Sequence, residues 1–149
     1  MTSFTVYTLP ATQGSMKQVT GKDGRTHIIH DNSAKVKATR HDIAAAARAA
    51  WGDRPCLTDC AVALTITAYL IKPKTVKRLM PHAAGRFDVD KIARLVCDAL
   101  TGICYRDDGQ IVDLVCRKRY AAMPGIEISV GEVILTKDLG EYDAMREVQ

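Results

Sequence analysis

Alternating polar and apolar residues mark four stretches of the chain as β-strands. The stretches are residues 4–9, 61–71, 111–120 and 126–135. Apolar residues recur in them at a period of two, as in strands with one buried face. In 61–71, one face carries Val62, Leu64, Ile66, Ala68 and Leu70, which is typical of a central strand. A short segment, residues 123–125, separates the last two stretches and contains Pro124 and Gly125, which predicts a tight turn.

Two other stretches have the composition and period of α-helices. The alanine-rich stretch 33–51 predicts a helix that ends at Gly52. A second helix is predicted to begin at residues 87–88 and to end at Gly102. Its apolar residues recur at i, i+3, i+4, i+7 and i+8: Ile92, Leu95, Val96, Ala99 and Leu100. Such a stripe faces the protein core.

These elements predict an α+β fold with a small mixed or antiparallel sheet of about four strands and two main helices. A basic segment punctuated by glycines, residues 17–25, predicts an additional hairpin with residues 26–30 as its returning arm. At 149 residues the chain fits one domain. We assign residues 1–136 to this domain and residues 137–149 to a polar tail or short terminal helix.

Charge is unevenly distributed along the chain. The net charge is +4, but residues 127–149 are acidic, so the first 126 residues carry 19 basic and 11 acidic side chains. This balance is typical of a protein that contacts a polyanion. Aromatic residues make up only 5% of the chain, which argues against a single-strand binder that stacks bases. The five cysteines do not have the spacing of a zinc site. The N-terminus lacks a charged region followed by a long apolar core, which favours a cytosolic protein that does not span a membrane.

A cluster of carboxylates suggests the chemistry. Five aspartates lie within about twenty residues: Asp88, Asp90, Asp98, Asp107 and Asp108. Oxygen ligands at close spacing suit a hard divalent cation such as Mg²⁺, which binds one or two carboxylates, several waters and substrate phosphate. The segment before this cluster has no acidic residue from 60 to 87 and carries Lys72, Lys74, Lys77, Arg78 and Arg86. Cations that flank carboxylates in this way indicate metal-assisted hydrolysis of a phosphodiester.

Each aspartate also has a purely structural interpretation. Asp88 suits the start of a helix as a cap or dipole partner, and Asp107 with Asp108 suits a turn before a strand. Asp98 suits an exposed helix position. A helix of about fourteen residues spans roughly 20 Å, so its ends cannot share a cation unless the loop at 107–108 folds back or the following strand brings its neighbours alongside. The metal interpretation therefore depends on taking the aspartates and cations together.

Three short motifs resemble a known family in their order along the chain. They read Arg-Phe-Asp-Val-Asp at 86–90, Asp-Ala-Leu-Thr-Gly at 98–102 and Asp-Asp-Gly-Gln-Ile-Val at 107–112. In this combination they resemble the RusA-type Holliday junction resolvases common in phages and prophages. The resemblance extends more weakly to residues 10–15 and 117–120, and so covers most of the chain up to about residue 130.

The resemblance implies a small α+β homodimer that binds four-way DNA junctions and introduces paired, symmetric nicks. The implied cofactor is Mg²⁺, with Mn²⁺ as a substitute. The implied metal ligands are Asp88, Asp90 and Asp108, with Asp107 as a close neighbour that can also contribute. Arg94 occupies the position of a functional lysine of the family and joins the aspartates as a catalytic residue. Lys91 replaces the asparagine that the family usually has directly after the second aspartate.

Basic residues are predicted to contact backbone phosphates, which gives binding that depends on salt and on DNA structure. The predicted contacts are Lys17, Arg25, Lys72, Lys74, Lys77, Arg78, Arg86 and Lys91. For Arg117 and Arg119, DNA contact and a solvated surface both stay open. Two other functions also stay open: a non-catalytic protein that binds branched DNA, and a flap or fork nuclease with the same acidic site. The implied location is the cytoplasm of a bacterium or of a phage-infected cell.

Overall fold

The structure, a computed structural model, describes residues 1–13, 16–30, 34–82 and 87–134. Its strands are β1 Thr2–Val6, β2 Met16–Thr20, β3 Thr26–His30, β4 Val62–Ile71, β5 Ile111–Ala121 and β6 Gly125–Glu132. Its helices are α1 Ala34–Trp51 and α2 Val89–Leu100. The predicted α+β class, with a sheet of four strands and two main helices, is confirmed. The predicted tail at 137–149 lies outside the described residues, as does Arg86.

β4 lies in the interior of a mixed sheet of four strands in the order β1-β6-β4-β5. It pairs parallel to β5 and antiparallel to β6. Every second residue of β4 is buried. One core joins Leu64 and Ile66 of this strand to Ile43 of α1 and Leu95 of α2. Both helices therefore pack on the same face of the sheet, the face that the period-two pattern of the strand predicted.

The first and last strands differ from their predicted bounds, and the last strand, β6, is Gly125–Glu132 rather than residues 126–135. The first strand is Thr2–Val6 rather than residues 4–9, because the backbone N–H of Thr8 donates back to the carbonyl of Val6 at 3.1 Å and turns the chain out of the sheet. β5 and β6 follow each other after a short turn, but they do not pair, because β4 lies between them. Alternation identifies a strand and its buried face; it does not identify the neighbouring strand.

Both helices end next to the glycine that was predicted from the sequence to terminate them. Gly52 and Gly102 have φ angles of 62° and 76°, a left-handed conformation that glycine adopts without a Cβ clash. β2 and β3 form the predicted antiparallel hairpin. Among the residues that the structure describes, neither helix is long and apolar enough to cross a membrane.

α2 lies beside β5 and runs in the opposite direction. The start of the helix lies beside the middle and second half of the strand, because Lys118 Nζ donates to the carbonyl of Phe87 at 2.9 Å and Cys116 Sγ to the carbonyl of Val89 at 3.4 Å. The chain then returns from the end of α2 to the start of β5 at Ile111. Consequently, the two groups of aspartates lie at opposite ends of the helix.

Candidate metal centre and DNA-contacting surface

Asp88 occupies the N-cap position of α2, but its carboxylate does not cap the helix. The side chain is half-exposed and forms an ion pair with Lys91, whose Nζ lies 2.9 Å from Asp88 Oδ2. The hydrogen bond to Asp88, reinforced by the negative charge of that carboxylate, raises the pKa of Lys91. The carboxylate therefore satisfies no backbone N–H of the helix, and its partner is a cation.

Asp90 lies in the first turn of α2 with its side chain exposed. Burial raises the pKa of Cys116 to about 11, and Cys97 and then the Asp90 carboxylate add smaller contributions. Asp90 is therefore close to the middle of β5. Arg94, one turn further along, is also exposed. The ion pairs of the described residues include none between Asp90 and Arg94, which leaves both side chains available to solvent or to a ligand.

Asp107 holds the turn before β5. Its Oδ1 accepts a hydrogen bond from the backbone N–H of Gly109 at 2.7 Å and begins a single turn of 3₁₀ helix, Asp108–Gln110. The Gln110 side chain accepts from the backbone N–H of Asp107 at 3.0 Å and donates to the carbonyl of Cys60 at 3.1 Å. This is a capping box anchored to the body of the protein. The structural interpretation of a turn is therefore confirmed for Asp107.

Asp108 is the exposed partner of this pair. Among the described residues its carboxylate has neither a hydrogen bond nor an ion pair, although one carboxylate oxygen of its neighbour Asp107 accepts the hydrogen bond of the capping box. Burial raises the pKa of Cys97 to about 11, and the Asp108 carboxylate makes the next largest contribution. Asp108 is therefore close to the last turns of α2. Its side chain is a free acceptor at the entrance to β5.

The structure keeps the two groups of aspartates apart within one chain. Cys97, which Asp108 approaches, is seven residues beyond Asp90, about 10 Å along the helix axis. The loop at 107–108 does not fold back, because the capping box and the bond to Cys60 fix it. In the described ranges, no three His, Cys, Asp or Glu side chains come together as a metal-binding group. The proposed ligand set stays a prediction for this chain.

Asp98 has a structural role that the sequence did not reveal. Its carboxylate accepts a hydrogen bond from Gln13 Nε2 and lies 3.7 Å from a guanidinium nitrogen of Arg40 on α1. The backbone N–H of Gln13 also donates to the carbonyl of Lys91, at 3.2 Å. This network ties the segment before residue 14 to both helices. The only indication of this network in the sequence was that Gln13 lies within residues 10–15, where the family resemblance is weak.

The predicted DNA-contacting cations that the structure describes are mostly exposed. Lys74, Lys77 and Arg78 are exposed, and Lys72 Nζ donates to the carbonyl of Lys77 at 3.4 Å within the same loop. Arg25 is exposed in the hairpin. The side chain of Lys17, like all of Arg86, is outside the described part of the chain.

No sequence pattern indicated a structural role for Lys118. It faces α2 and holds the carbonyl of Phe87, next to Asp88. Arg117 and Arg119 are exposed and project from the opposite face of the sheet, because they pair with Thr67 and Tyr69 of β4. The run at 117–119 therefore divides between the two faces of the sheet.

Comparison with known proteins agrees with this arrangement of motifs. The family model described as "Endodeoxyribonuclease RusA" matches residues 10–131. An uncharacterized protein of Bacillus subtilis (strain 168), YqaN, is 29% identical over 141 residues, which cover 87% of this chain and 95% of that protein. RusA nucleases are generally metal-dependent and act on branched DNA junctions. Because the model covers most of its length, the chain belongs to the RusA endodeoxyribonuclease family.

Proposed function

We propose that this protein is a homodimeric, Mg²⁺-dependent endonuclease that resolves four-way DNA junctions by paired nicks. The observation that carries the proposal is the state of three carboxylates in the matched region. Asp90 and Asp108 are exposed without an ion-pair or hydrogen-bond partner among the described residues, and Asp88 has only a lysine. Carboxylates with no backbone partner on a basic protein are suited to binding a cation and, through it, DNA phosphate.

The donor chemistry fits a hard divalent cation. All three side chains offer carboxylate oxygen, the ligand type that hard divalent cations prefer. Mg²⁺ binds through one or two carboxylates and keeps its remaining positions for water and phosphate, and Mn²⁺ accepts the same ligands. Asp88 and Asp90, two residues apart, would supply the first two carboxylates.

A homodimer is proposed because a single chain separates its aspartates. The Asp88 and Asp90 pair lies at the start of α2, whereas Asp108 lies near its end. One subunit therefore cannot bring all three to a single ion, but two subunits related by a two-fold axis can. In this arrangement each site combines Asp88 and Asp90 of one subunit with Asp108 of the other. Two such sites match the two symmetric cuts that a junction requires.

The protein's own residues would then have distinct roles. A bound divalent cation supplies polarisation of a phosphoryl oxygen and of a water molecule. Asp88, Asp90 and Asp108 would hold that cation, and Lys91 would release Asp88 when the ion binds. Arg94, exposed one turn after Asp90, would contact the phosphate as a permanent cation; a guanidinium does not donate its proton near neutral pH. Exposed lysines of the 72–78 loop would hold the arms of the junction by their phosphates.

Cleavage of a labelled synthetic junction, beside linear duplex, flap and fork DNA, tests the proposal. With Mg²⁺ and not with EDTA, we expect paired symmetric nicks in the junction. Asp90→Asn should lose at least about 100-fold in rate, since losing even an outer partner of a metal ligand costs roughly 10–100-fold. Its junction binding should persist, because the substitution also removes a negative charge near phosphate. Asp53→Asn, at an exposed position away from α2, is the matched control.

Other outcomes assign other functions. Junction binding without nicks under any metal would mean a non-catalytic binder. Preferential cutting of flaps or forks would mean a nuclease with a different substrate.

A mixed dimer tests whether the site is shared between subunits. Asp90→Asn and Asp108→Asn chains, co-expressed with different tags, form a heterodimer in which one site carries both substitutions and the other carries none. We therefore expect the heterodimer to nick one strand, while each mutant homodimer is inactive. A site built within one chain predicts no recovery, because both sites of the heterodimer would then carry one substitution.

A further inference from the structure

The loop between β4 and α2 presents two neighbouring apolar side chains to solvent. Leu79 is 83% exposed, the highest value for any large apolar side chain among the described residues, and Met80 is 46% exposed. The next residue, Pro81, is buried. Because the chain is anchored directly after the pair, these two side chains are held at the surface by a fixed point of the fold.

The part of the loop before the pair is also held in place. The backbone N–H of Val76 donates to the carbonyl of Pro73 at 3.0 Å, and the Val76 side chain is half-buried. Lys72 Nζ donates to the carbonyl of Lys77 at 3.4 Å. A segment that is already ordered loses less conformational freedom when it binds a partner, so more of the contact energy appears as affinity.

The loop lies at the part of the sheet that is closest to Asp88. It begins after Ile71, the last residue of β4, which pairs with Ala121 at the end of β5. It leads to the start of α2, where Lys118 of β5 holds the carbonyl of Phe87. Both ends of the loop therefore lie beside the second half of β5, next to the carboxylates at the start of α2.

The charge around the apolar pair determines the kind of partner that fits it. The sequence has no acidic side chain from residue 60 to residue 87, and Lys77 and Arg78 directly precede the pair. Such a surface attracts a polyanion, whose phosphates the cations contact. Leu79 and Met80 gain nothing from phosphate. In nucleic acid, the surface that matches an aliphatic side chain is the face of a base.

We propose that Leu79 and Met80 form an apolar wedge that contacts base faces at the branch point of a DNA junction and thereby selects branched DNA over linear duplex. This inference rests on the proposed function. In a continuous duplex each base face is covered by its neighbour, and a side chain that enters between two base pairs breaks their stacking. At a branch point the strands change partners, so the flanking base pairs separate at lower cost. Phosphate contacts, which are alike along every arm, do not supply this selectivity.

Binding measured with Ca²⁺ in place of Mg²⁺ tests the wedge on the full chain. Leu79→Ser combined with Met80→Ser should weaken binding to a four-way junction by at least about tenfold, because the burial of apolar surface is lost. Binding to linear duplex should weaken by less than about twofold, since the phosphate contacts remain. A denaturing gel checks that the DNA strands stay intact, and far-ultraviolet circular dichroism checks that the variant is folded.

Two further variants control for side-chain chemistry and for position. Leu79→Met combined with Met80→Leu keeps the apolar surface, so it should bind the junction as wild type does. Ile134→Ser removes an apolar side chain of similar exposure, 81%, two residues beyond the end of β6. That end of β6 pairs with the start of β4, at the opposite end of the sheet from the loop. Ile134→Ser should therefore leave junction binding unchanged.

A fluorescent base reports the contact directly. The fluorescence of 2-aminopurine rises when its stacking on neighbouring bases is broken. Placed beside the branch point, it should brighten when wild type binds and should not respond to the double serine variant. Placed in the middle of an arm, it should respond to neither protein.

Three results would overturn the inference. A double serine variant that binds the junction as tightly as wild type would mean that the pair does not contact DNA. Equal losses of affinity for junction and duplex would place the contact in a groove rather than at the branch. Sedimentation of wild type, but not of the double serine variant, with phosphatidylserine vesicles, together with unchanged junction binding, would assign the pair to a membrane surface.

Failure of the wedge is distinguishable from failure of the proposed function. Paired nicks by wild type with Mg²⁺, together with an unchanged junction affinity of the double serine variant, would keep the nuclease and remove the wedge. A 2-aminopurine signal that depends on Leu79 and Met80, without nicks under any metal, would keep the wedge on a non-catalytic junction binder.

Discussion

The two ends of α2 carry the same residue type in opposite states. At the start of the helix, Asp90 is exposed without an ion-pair or hydrogen-bond partner among the described residues, and Asp88 has only Lys91. Toward its end, Asp98 is held by Gln13 and Arg40, and Asp107 closes a capping box. One aspartate near this end, Asp108, shares the state of the first group.

The difference separates aspartates that build the fold from aspartates available for chemistry. A carboxylate that accepts backbone or amide hydrogens in a fixed geometry stabilises the native state and would lose those bonds by turning to a metal ion. A carboxylate with free oxygens does not incur that loss. By this criterion Asp107 is structural and Asp108 is a candidate ligand, although the two are adjacent in sequence and both exposed.

The largest expected effect is the difference in cleavage rate between Asp108→Ala and Asp107→Ala. Asp108→Ala should lower the rate of junction cleavage by at least about 100-fold and change the free energy of unfolding by less than about 0.5 kcal/mol. Asp107→Ala should cost about 1 kcal/mol of stability, the usual cost of losing a cap, and reduce the rate by less than tenfold. Single-turnover cleavage and urea unfolding of both variants measure the four quantities. Equal losses of rate would contradict the division of roles.

The sequence predicted the fold more completely than the site. Periodicity was sufficient for β4 and α2, because a buried face repeats at every second or every third to fourth residue, and glycine at 52 and 102 predicted the helix ends. Which strands become neighbours was not predicted for β5 and β6. Both strands pair with β4, and this pairing depends on tertiary contacts that leave no pattern in the local sequence.

For the site, residue type alone could not distinguish Asp107 from Asp108 or recognise Asp98 as structural. That distinction depends on hydrogen-bond partners such as Gln13, which is 85 residues from Asp98 in sequence. The length of the helix predicted that Asp88 and Asp90 would lie apart from Asp107 and Asp108, and the two groups lie apart in the structure.

A smaller effect, on stability, compares the two aspartates on α2 itself. Asp98→Ala should lower the free energy of unfolding by about 1–3 kcal/mol, because it leaves the half-buried Gln13 amide and the Arg40 guanidinium without an acceptor. Asp90→Ala should change it by less than about 0.5 kcal/mol, since an exposed side chain without partners loses only its interaction with the helix dipole. Guanidinium unfolding followed by circular dichroism measures both. A larger loss for Asp90 would mean that its carboxylate supports the fold.

The smallest expected effect concerns the one occupied carboxylate at the start of α2. Lys91 must leave Asp88 before that carboxylate can bind a cation, and an ion pair between two exposed side chains is weak. Lys91→Asn should therefore lower the Mg²⁺ concentration that gives half-maximal cleavage by up to about fivefold. The titration uses saturating junction DNA, so that any loss of a phosphate contact does not enter the result. Lys37→Asn, an exposed substitution on α1, is the control. If half-maximal Mg²⁺ is the same in all three proteins, the ion pair with Lys91 does not compete with the cation for the Asp88 carboxylate.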